Sequence, residues 1–161
     1  MSELPPDTLA AFDTLRQTRQ SLVALVESLP DDARTTVPDG FNNHVLWNAG
    51  HLAATEQALV YSLTGLPPNV SPEFVGAFRK GTSPRDWDRA WTWDEVRDKL
   101  LTLPDLTRAD AEAGRFDDRP FREYTTTPGV TLRSVSDAVQ FNLYHEGIHL
   151  GAILALRKLI G

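Results

Sequence analysis

Apolar residues recur at three- and four-residue spacings in four segments of the chain, and this pattern constrains the fold more than any other feature. Such spacing places apolar side chains along one face of an α-helix. No segment alternates apolar and polar residues convincingly, as a half-buried strand does. The sequence therefore predicts an all-α protein, a four-helix bundle.

Local signals predict where the first two helices begin and end. Pro30 stops the first segment, because a proline cannot continue a helix at that point. The second segment opens after Asn42 or Asn43, both suitable N-caps, and runs to Gly65, a C-terminal stop.

The third and fourth helices have comparable signals. Thr92 and Glu95 form a predicted capping box at the start of the third helix. Pro104 interrupts the apolar pattern of this helix, which predicts a kink or a break there. The fourth helix is predicted over Leu132–Leu159, with Thr131 as its cap.

The second and third helices are joined by a connection of residues 66–91 that is rich in proline and glycine. Its length is typical of a crossover along a bundle, so these two helices are predicted to be parallel. Ser83 and the proline after it can start a short helix within this crossover. Trp87, Trp91 and Trp93 either roof a substrate pocket or anchor the crossover, and we favour anchoring. No linker is visible, so residues 1–161 are predicted to form a single domain.

Composition excludes several classes of function. The chain has a net charge of −6 with scattered basic residues, which argues against nucleic-acid binding. No apolar run approaches the roughly 18 residues of a membrane span, and the first residues lack a secretion signal, so we expect a cytoplasmic protein. The chain contains no cysteine. A metal site must therefore use histidine, aspartate or glutamate.

The segment HEGIH, residues 145–149, matches the H-E-x-x-H motif of zinc proteases. Those enzymes need a third ligand downstream, either a histidine six residues after the second or a later glutamate. Ala152 and Ala155 occupy the positions of the glycine and histidine of the first class, and no carboxylate follows His149. The protease interpretation therefore fails, although His145 and His149 remain well spaced to bind one ion.

The third ligand is predicted to be His51, which lies in the middle of the apolar second helix. His44 competes for this role because it lies seven residues earlier on nearly the same helix face. We expect His44 to be exposed at the helix start. The predicted metal ligands are therefore His51, His145 and His149, and three ligands leave an open position for chemistry.

Further side chains are candidates for the pocket or for contacts that support the ligands. Helix geometry places Asn142 near the ligand face of the fourth helix, and Asn48, Thr55 and Trp47 near His51. Hydrogen bonds to neighbouring backbone would explain these polar side chains equally well. Glu146 lies on the flank of its helix, where it either orients a ligand or is a solvated surface charge.

Two motifs carry a resemblance to a known family, GHL at residues 50–52 and HEGIHLGAILALRKLIG at residues 145–161. With them the chain resembles the DinB-like (YfiT-like) superfamily of metal-binding four-helix bundles. The resemblance implies one divalent metal, zinc or nickel, on the three matching histidines, and it suggests a homodimer. It also implies a thiol-dependent enzyme that transfers a low-molecular-weight thiol to an electrophilic small molecule. A hydrolase using metal-activated water and a non-catalytic metal- or ligand-binding bundle remain alternatives.

Overall fold

The computed structural model describes residues 4–160, so the predicted single domain of residues 1–161 extends beyond it at both ends. The described part contains six α-helices and one antiparallel pair of short strands. In chain order these are α1 Pro6–Glu27, α2 Asp31–Arg34, α3 Val45–Val60, α4 Pro72–Phe78, α5 Trp93–Glu112, β1 Tyr124–Thr125, β2 Thr131–Leu132 and α6 Val135–Ile160.

The four long helices α1, α3, α5 and α6 form the predicted bundle, and the all-α fold class is confirmed. Each of them packs against two others, in the cyclic order α1, α5, α3 and α6. Thr107 of α5 donates a hydrogen bond to Glu56 of α3, and further along both helices Tyr61 donates to Asp110. Residue numbers increase in the same direction along both helices from the first bonded pair to the second. Helices α3 and α5 are therefore parallel, as the long crossover predicted.

The start of α3 differs from the prediction. The helix begins at Val45, and its N-cap is His44 rather than Asn42 or Asn43. His44 has extended backbone angles, and its Nδ1 accepts a hydrogen bond from the backbone N–H of Trp47 at 3.0 Å. This bond satisfies one of the free N–H groups of the first turn, which is the role that an asparagine cap would have had.

The start of α6 also differs, because Thr131 is not its cap. Thr131 pairs with Thr125 in the hairpin, where Gly129 supplies the positive φ of the turn. The helix begins four residues later, and Ser134 Oγ accepts from the backbone N–H of Asp137 at 3.0 Å. Residues 131 and 132, which periodicity alone assigned to the helix, therefore pair with β1 in a local hairpin.

Helix α5 confirms one prediction and excludes one of the two outcomes expected at Pro104. Thr92 and Glu95 form the predicted capping box. Of the predicted kink or break at Pro104, the break does not occur, since α5 continues through this residue without interruption. A proline removes one backbone hydrogen bond, but Leu103, Pro104 and Thr107 are all buried. Burial of this turn in the bundle holds it in helical form.

The crossover is more ordered than its composition suggested. It contains α4, which the sequence did not predict, and a 3-10 turn at Pro84–Asp86 that starts at Ser83 as expected. Phe74 and Phe78 of α4 are buried in the main core cluster together with residues of α3. The crossover is thereby fixed against α3, next to the middle of that helix. No helix in residues 4–160 combines the length and apolar character that a membrane span requires.

Candidate metal centre

The three histidines predicted to bind a metal lie together where α3 contacts α6. Ring centroids are 5.0 Å apart for His51 and His145, 4.7 Å for His51 and His149, and 4.5 Å for His145 and His149. One ring nitrogen from each histidine lies within 4.8 Å of those from the other two. Among residues 4–160, this is the only group of three or more histidine, cysteine, aspartate or glutamate side chains that lie close enough together to hold a metal ion.

Hydrogen bonds to Nδ1 orient two of the three rings. Nδ1 of His51 lies 2.7 Å from the carbonyl oxygen of Phe78, and Nδ1 of His149 lies 2.8 Å from Oδ1 of Asn48. The amide nitrogen of Asn48 donates to the carbonyl of His44, which turns Oδ1 towards His149. Both partners are acceptors, so Nδ1 carries the proton and Nε2 keeps its lone pair for an ion.

Gly50 allows Phe78 to approach His51 this closely. A Cβ atom on Gly50 would lie 2.3 Å from Cδ1 of the Phe78 ring, well inside van der Waals contact. The ring therefore packs directly on the α3 backbone, and the Phe78 carbonyl reaches His51. The glycine of the GHL motif has a steric reason in this fold.

Burial keeps the three imidazoles neutral. It is the main cause that lowers the pKa of His145 to about 3 and the pKa of His149 to about 4. The positive forms of neighbouring histidines, and Arg19 in the case of His145, lower these pKa values further. Burial also lowers the pKa of His51. Neutral imidazole is the form that binds metals, so the site is ready for an ion at neutral pH.

The donor set fits a divalent transition metal. Three neutral nitrogen donors with oriented rings are typical of zinc, nickel and similar ions, whereas magnesium and calcium prefer oxygen ligands. The three-histidine group can therefore hold one metal ion. Three protein ligands leave at least one position open, which is the arrangement of catalytic rather than closed structural sites.

The histidines open onto a cavity of about 820 Å³, a size suited to a small molecule. Trp47, Asn48 and Thr55, three of the predicted pocket residues, line it. The Trp47 ring stacks on His51 at a centroid distance of 4.7 Å and an angle of 11°. Thr55 Oγ1 lies 3.4 Å from Nε2 of His51, so its hydroxyl is next to the nitrogen that faces the ion.

Asn142, predicted to line the pocket or to support the ligands, lies in the buried interior of the bundle. It is 2% exposed and does not line the cavity, and its Nδ2 has no hydrogen-bond partner within the described chain. Helical angles put Asn142 near the face of His145, but they cannot show how deeply the helix is sunk into the bundle at that turn.

Glu146 is also outside the cavity lining, and the solvated-surface interpretation is wrong because the residue is 6% exposed. Nε of Arg19 donates to both carboxylate oxygens of Glu146, at 2.9 and 2.8 Å, and Nη2 donates to Oε1 at 2.7 Å. Nη2 also lies 3.3 Å from Glu56 Oε2. Glu146 thus faces α1 and is engaged there, so it is not placed as the general base of a zinc protease.

Sequence reasoning did not find Arg19 or Glu56. Both are 1% exposed, and Thr107 donates to Glu56 at 2.7 Å. The sequence does contain a signal for Arg19, because this charged residue occupies a position on the apolar face of α1. Arginine is rarely fully buried without a partner, so such a position predicts a buried carboxylate nearby.

His44 is buried rather than exposed as expected. It is 4% exposed, packs edge-on against Trp87 at 5.4 Å, and burial lowers its pKa to about 4. Its side chain caps α3 and it does not join the three-histidine group.

The tryptophans of the crossover pack against the core, as the anchoring interpretation holds. Nε1 of Trp87 donates to the carbonyl of Ala77 at 2.9 Å, and buried Trp91 meets Phe78 edge-on at 5.4 Å. Trp93 is partly buried against the same core. None of the three lines the cavity.

Three basic residues on the cavity wall, Arg79, Lys80 and Arg122, were also missed. They lie in the crossover and just before β1, and no spacing rule connects loop residues with a site formed by two helices. Only the packing of these loops over the cavity reveals them.

Comparison with known families gives a match over most of the chain. The family model described as the DinB superfamily matches residues 14–153. This range includes all three histidines of the site. The comparison with curated proteins gave no match.

Proposed function

The chain belongs to the DinB superfamily, and on that premise we propose that it is a metal-dependent enzyme that transfers a low-molecular-weight thiol to an electrophilic small molecule. The observation that carries the proposal is the three-histidine group at the wall of a cavity sized for small molecules. The chain has no cysteine, so the thiol is supplied from outside.

In this proposal His51, His145 and His149 hold one divalent ion, zinc or nickel. A thiol bound to such an ion loses its proton, because coordination to a divalent cation strongly favours the thiolate. The chain contributes ring orientation, since Phe78 and Asn48 accept from Nδ1 of two of the ligands.

Other residues of the cavity position the two substrates. The Thr55 hydroxyl is next to Nε2 of His51 and can hydrogen-bond to a group bound beside the ion. The Trp47 ring forms a flat wall stacked on His51, against which an apolar part of the electrophile can pack. Holding thiol and electrophile together in this way lowers the entropic cost of their reaction.

The charges of the cavity favour thiol transfer over hydrolysis. In hydrolases with the H-E-x-x-H motif, the glutamate is the general base that activates the metal-bound water. Within residues 4–160 no aspartate or glutamate lines the cavity, and Glu146, the glutamate of the motif, is engaged by Arg19. Thiol transfer does not need such a base, because the bound thiol is already deprotonated.

The experiment incubates metal-loaded protein with 1-chloro-2,4-dinitrobenzene and, in separate reactions, bacillithiol, mycothiol or glutathione. We expect at least one thiol to be consumed faster than without protein. The acceleration should disappear in His145→Ala and after chelation, while His44→Ala, which leaves the three-histidine group intact, should retain it.

Two results would contradict the proposal. Metal-dependent cleavage of an ester, amide or lactam without any thiol acceleration would replace it with hydrolysis. Stoichiometric metal binding without turnover of either kind of substrate would leave a non-catalytic metal-binding bundle.

A further inference from the structure

The wall of the metal-site cavity is positively charged. Arg79, Lys80 and Arg122 line it, and no aspartate or glutamate of residues 4–160 does. The chain as a whole carries a net charge of −6, so this charge is local and opposite in sign to that of the molecule. A divalent ion on the three histidines would add to it.

These three cations take no part in the ion pairs formed within the described part of the chain. Within residues 4–160, no carboxylate oxygen lies within the 4.0 Å of an ion pair from Arg79, Lys80 or Arg122. Eight other arginines do form such pairs, namely Arg16, Arg19, Arg34, Arg89, Arg97, Arg108, Arg115 and Arg133. Arg85, Arg119 and Arg157 are likewise outside the ion pairs formed within residues 4–160, so what sets Arg79, Lys80 and Arg122 apart is that they line the same cavity.

Backbone and side-chain contacts fix the segments that carry these charges. Nζ of Lys80 donates to Oγ1 of Thr127 at 2.7 Å, a neutral partner that joins the crossover to the hairpin turn. The backbone N–H of Arg122 donates to the carbonyl of Leu63 at 2.7 Å. Arg79 directly follows the residue whose carbonyl contacts His51. The cationic groups and the histidines are thus held on one connected scaffold.

We propose that the cavity binds a substrate carrying an anionic oxygen group, a carboxylate or a phosphate, at Arg79, Lys80 and Arg122, with its reacting end at the three histidines. Guanidinium and ammonium groups form charge-assisted hydrogen bonds with such anions. The inference rests on the proposed function and names the chemical class of one of its two substrates. Arg79, Lys80 and Arg122 are exposed, so water solvates them in the free protein, and an anionic substrate would replace that water with charge-assisted hydrogen bonds.

The test uses four small probes that vary two properties independently. They are 3-mercaptopropionate, 3-mercaptopropionamide, propionate and propionamide, each titrated calorimetrically into the metal-loaded full chain. Comparing each acid with its amide measures the preference for negative charge. Comparing each thiol with the molecule that lacks sulfur measures the contribution of the thiol.

We expect the wild type to prefer the mercapto acid over its amide by about tenfold or more, as charge-assisted hydrogen bonds imply. The preference should fall several-fold in Arg79→Gln, Lys80→Gln and Arg122→Gln and should weaken as salt is raised. Arg85→Gln is the matched control, since Arg85 is an exposed arginine of the same crossover that does not line the cavity. This variant should keep the full preference.

Failure of this inference and failure of the proposed function give different results. If thiol coordination is wrong but the anion site is right, propionate still binds more tightly than propionamide, and sulfur adds nothing. If the anion site is wrong, the thiols bind, but acid and amide bind equally. A preference that survives in a variant combining Arg79→Gln, Lys80→Gln and Arg122→Gln would also overturn the inference, because direct coordination of the carboxylate to the ion would then explain it.

A competition arm identifies the source of the anion. Inorganic phosphate and acetate are each used to displace 3-mercaptopropionate from the wild type and from Arg122→Gln. If phosphate displaces the probe more strongly than acetate, and Arg122→Gln removes this displacement, the site binds phosphate-bearing substrates. If acetate displaces the probe more strongly, the site binds carboxylates. No displacement by either anion would overturn the inference.

Discussion

Arg19 lies between two buried carboxylates, and its contacts with them are unequal. Glu146 accepts three hydrogen bonds from the guanidinium, whereas Glu56 is 3.3 Å from Nη2 in a single contact and accepts a further bond from Thr107. Burial raises the pKa of Glu56, more than the charge of Arg19 lowers it. The Arg19–Glu146 pair is therefore the dominant ion pair, and Arg19 holds Glu56 by the weaker contact.

This asymmetry predicts unequal costs for neutralising the two carboxylates. We expect Glu146→Gln to lower the free energy of unfolding by about 3 kcal/mol, since it breaks a buried, multiply bonded pair. Glu56→Gln should lower it by only about 1 kcal/mol, because the amide can still accept from Thr107. Urea denaturation at pH 7 measures both. Equal costs, or a larger cost for Glu56→Gln, would contradict the assignment of the dominant pair.

Asn48 provides a second test at the scale of one residue. Its Oδ1 accepts from Nδ1 of His149, so Asn48→Ala frees that ring to rotate. Loss of such a supporting bond typically weakens metal binding by about 10–100-fold. Asn43→Ala is the matched control, because Asn43 lines the same cavity without a hydrogen bond to the three histidines. Competition with a chromophoric chelator for zinc measures both affinities, and equal losses would argue against an orienting role.

At the scale of elements, the sequence predicted what short-range patterns determine. The four long helices follow from apolar spacing, and the Thr92 capping box follows from residues three apart. Helix α4 was missed because seven residues span only two turns, too few to show a period. The start of α6 was misplaced because Thr131 pairs with a strand that periodicity cannot detect. Both misses therefore concern short elements, which an apolar period cannot reveal.

The contact between α3 and α4 predicts opposite effects for two helical glycines. Gly50→Ala should destabilise the protein by about 1–3 kcal/mol, since the new methyl group overlaps the buried ring of Phe78. The displaced Phe78 carbonyl should also weaken metal binding by His51. A Cβ at Gly151 meets nothing within 4 Å, so Gly151→Ala should stabilise α6 by about 1 kcal/mol. Thermal melts measure the stability of both variants, and zinc titrations measure their metal affinity. Stabilisation by Gly50→Ala would show that the Phe78 ring can move away from the new methyl group without destabilising the protein.

The N-terminus of α5 predicts a dependence on pH. Hydrogen bonds from Arg89, and then from the backbone of Thr92, lower the pKa of Glu95 from 4.5 to about 2. A lowered folded-state pKa stabilises the protein above pH 4.5, and this contribution is lost as the pH falls towards 2. Glu95→Gln should therefore be slightly less stable than the wild type at pH 7, with a difference that shrinks between pH 4.5 and 2.

Thr92→Ala is the control for that pH dependence. Its hydroxyl does not titrate in this range, so most of the loss of about 1 kcal/mol expected for a removed N-cap should persist at both ends of the range. The bond that this hydroxyl donates to Glu95 Oε2 is one of the smaller causes that lower the pKa of Glu95, and its loss adds only a small part that depends on pH. Urea denaturation at several pH values gives both curves. A Glu95→Gln difference that stays constant with pH would show that the charge of Glu95 contributes nothing.

For the molecule as a whole, the site depends on contacts between distant parts of the chain. His145 and His149 were recognisable because they are one turn apart, and His51 followed as a histidine in an apolar helix. The bond from Arg19 to Glu146 joins residues 127 positions apart, and no local pattern reports it. The burial of His44 depends in the same way on Trp87 from the crossover. The sequence could thus predict which side chains form the group of three histidines, but not the contacts that orient and surround them.

The last prediction concerns removal of the metal from the whole protein. The three histidines belong to α3 and α6, so an ion bound by all of them links two helices that pack against each other. Binding to the folded state alone stabilises it by about 2.7 kcal/mol when the free metal is at 100 times its dissociation constant. For a chain of this length, that corresponds to a rise in Tm of about 5–10 °C. Scanning calorimetry of the protein treated with EDTA and then reloaded with zinc measures the shift. In His51→Ala the remaining two ligands lie on one helix and cannot link α6 to α3, so zinc should produce little or no rise. An equal rise in the variant and the wild type would show that the ion is held by α6 alone, and that His51 is not a ligand.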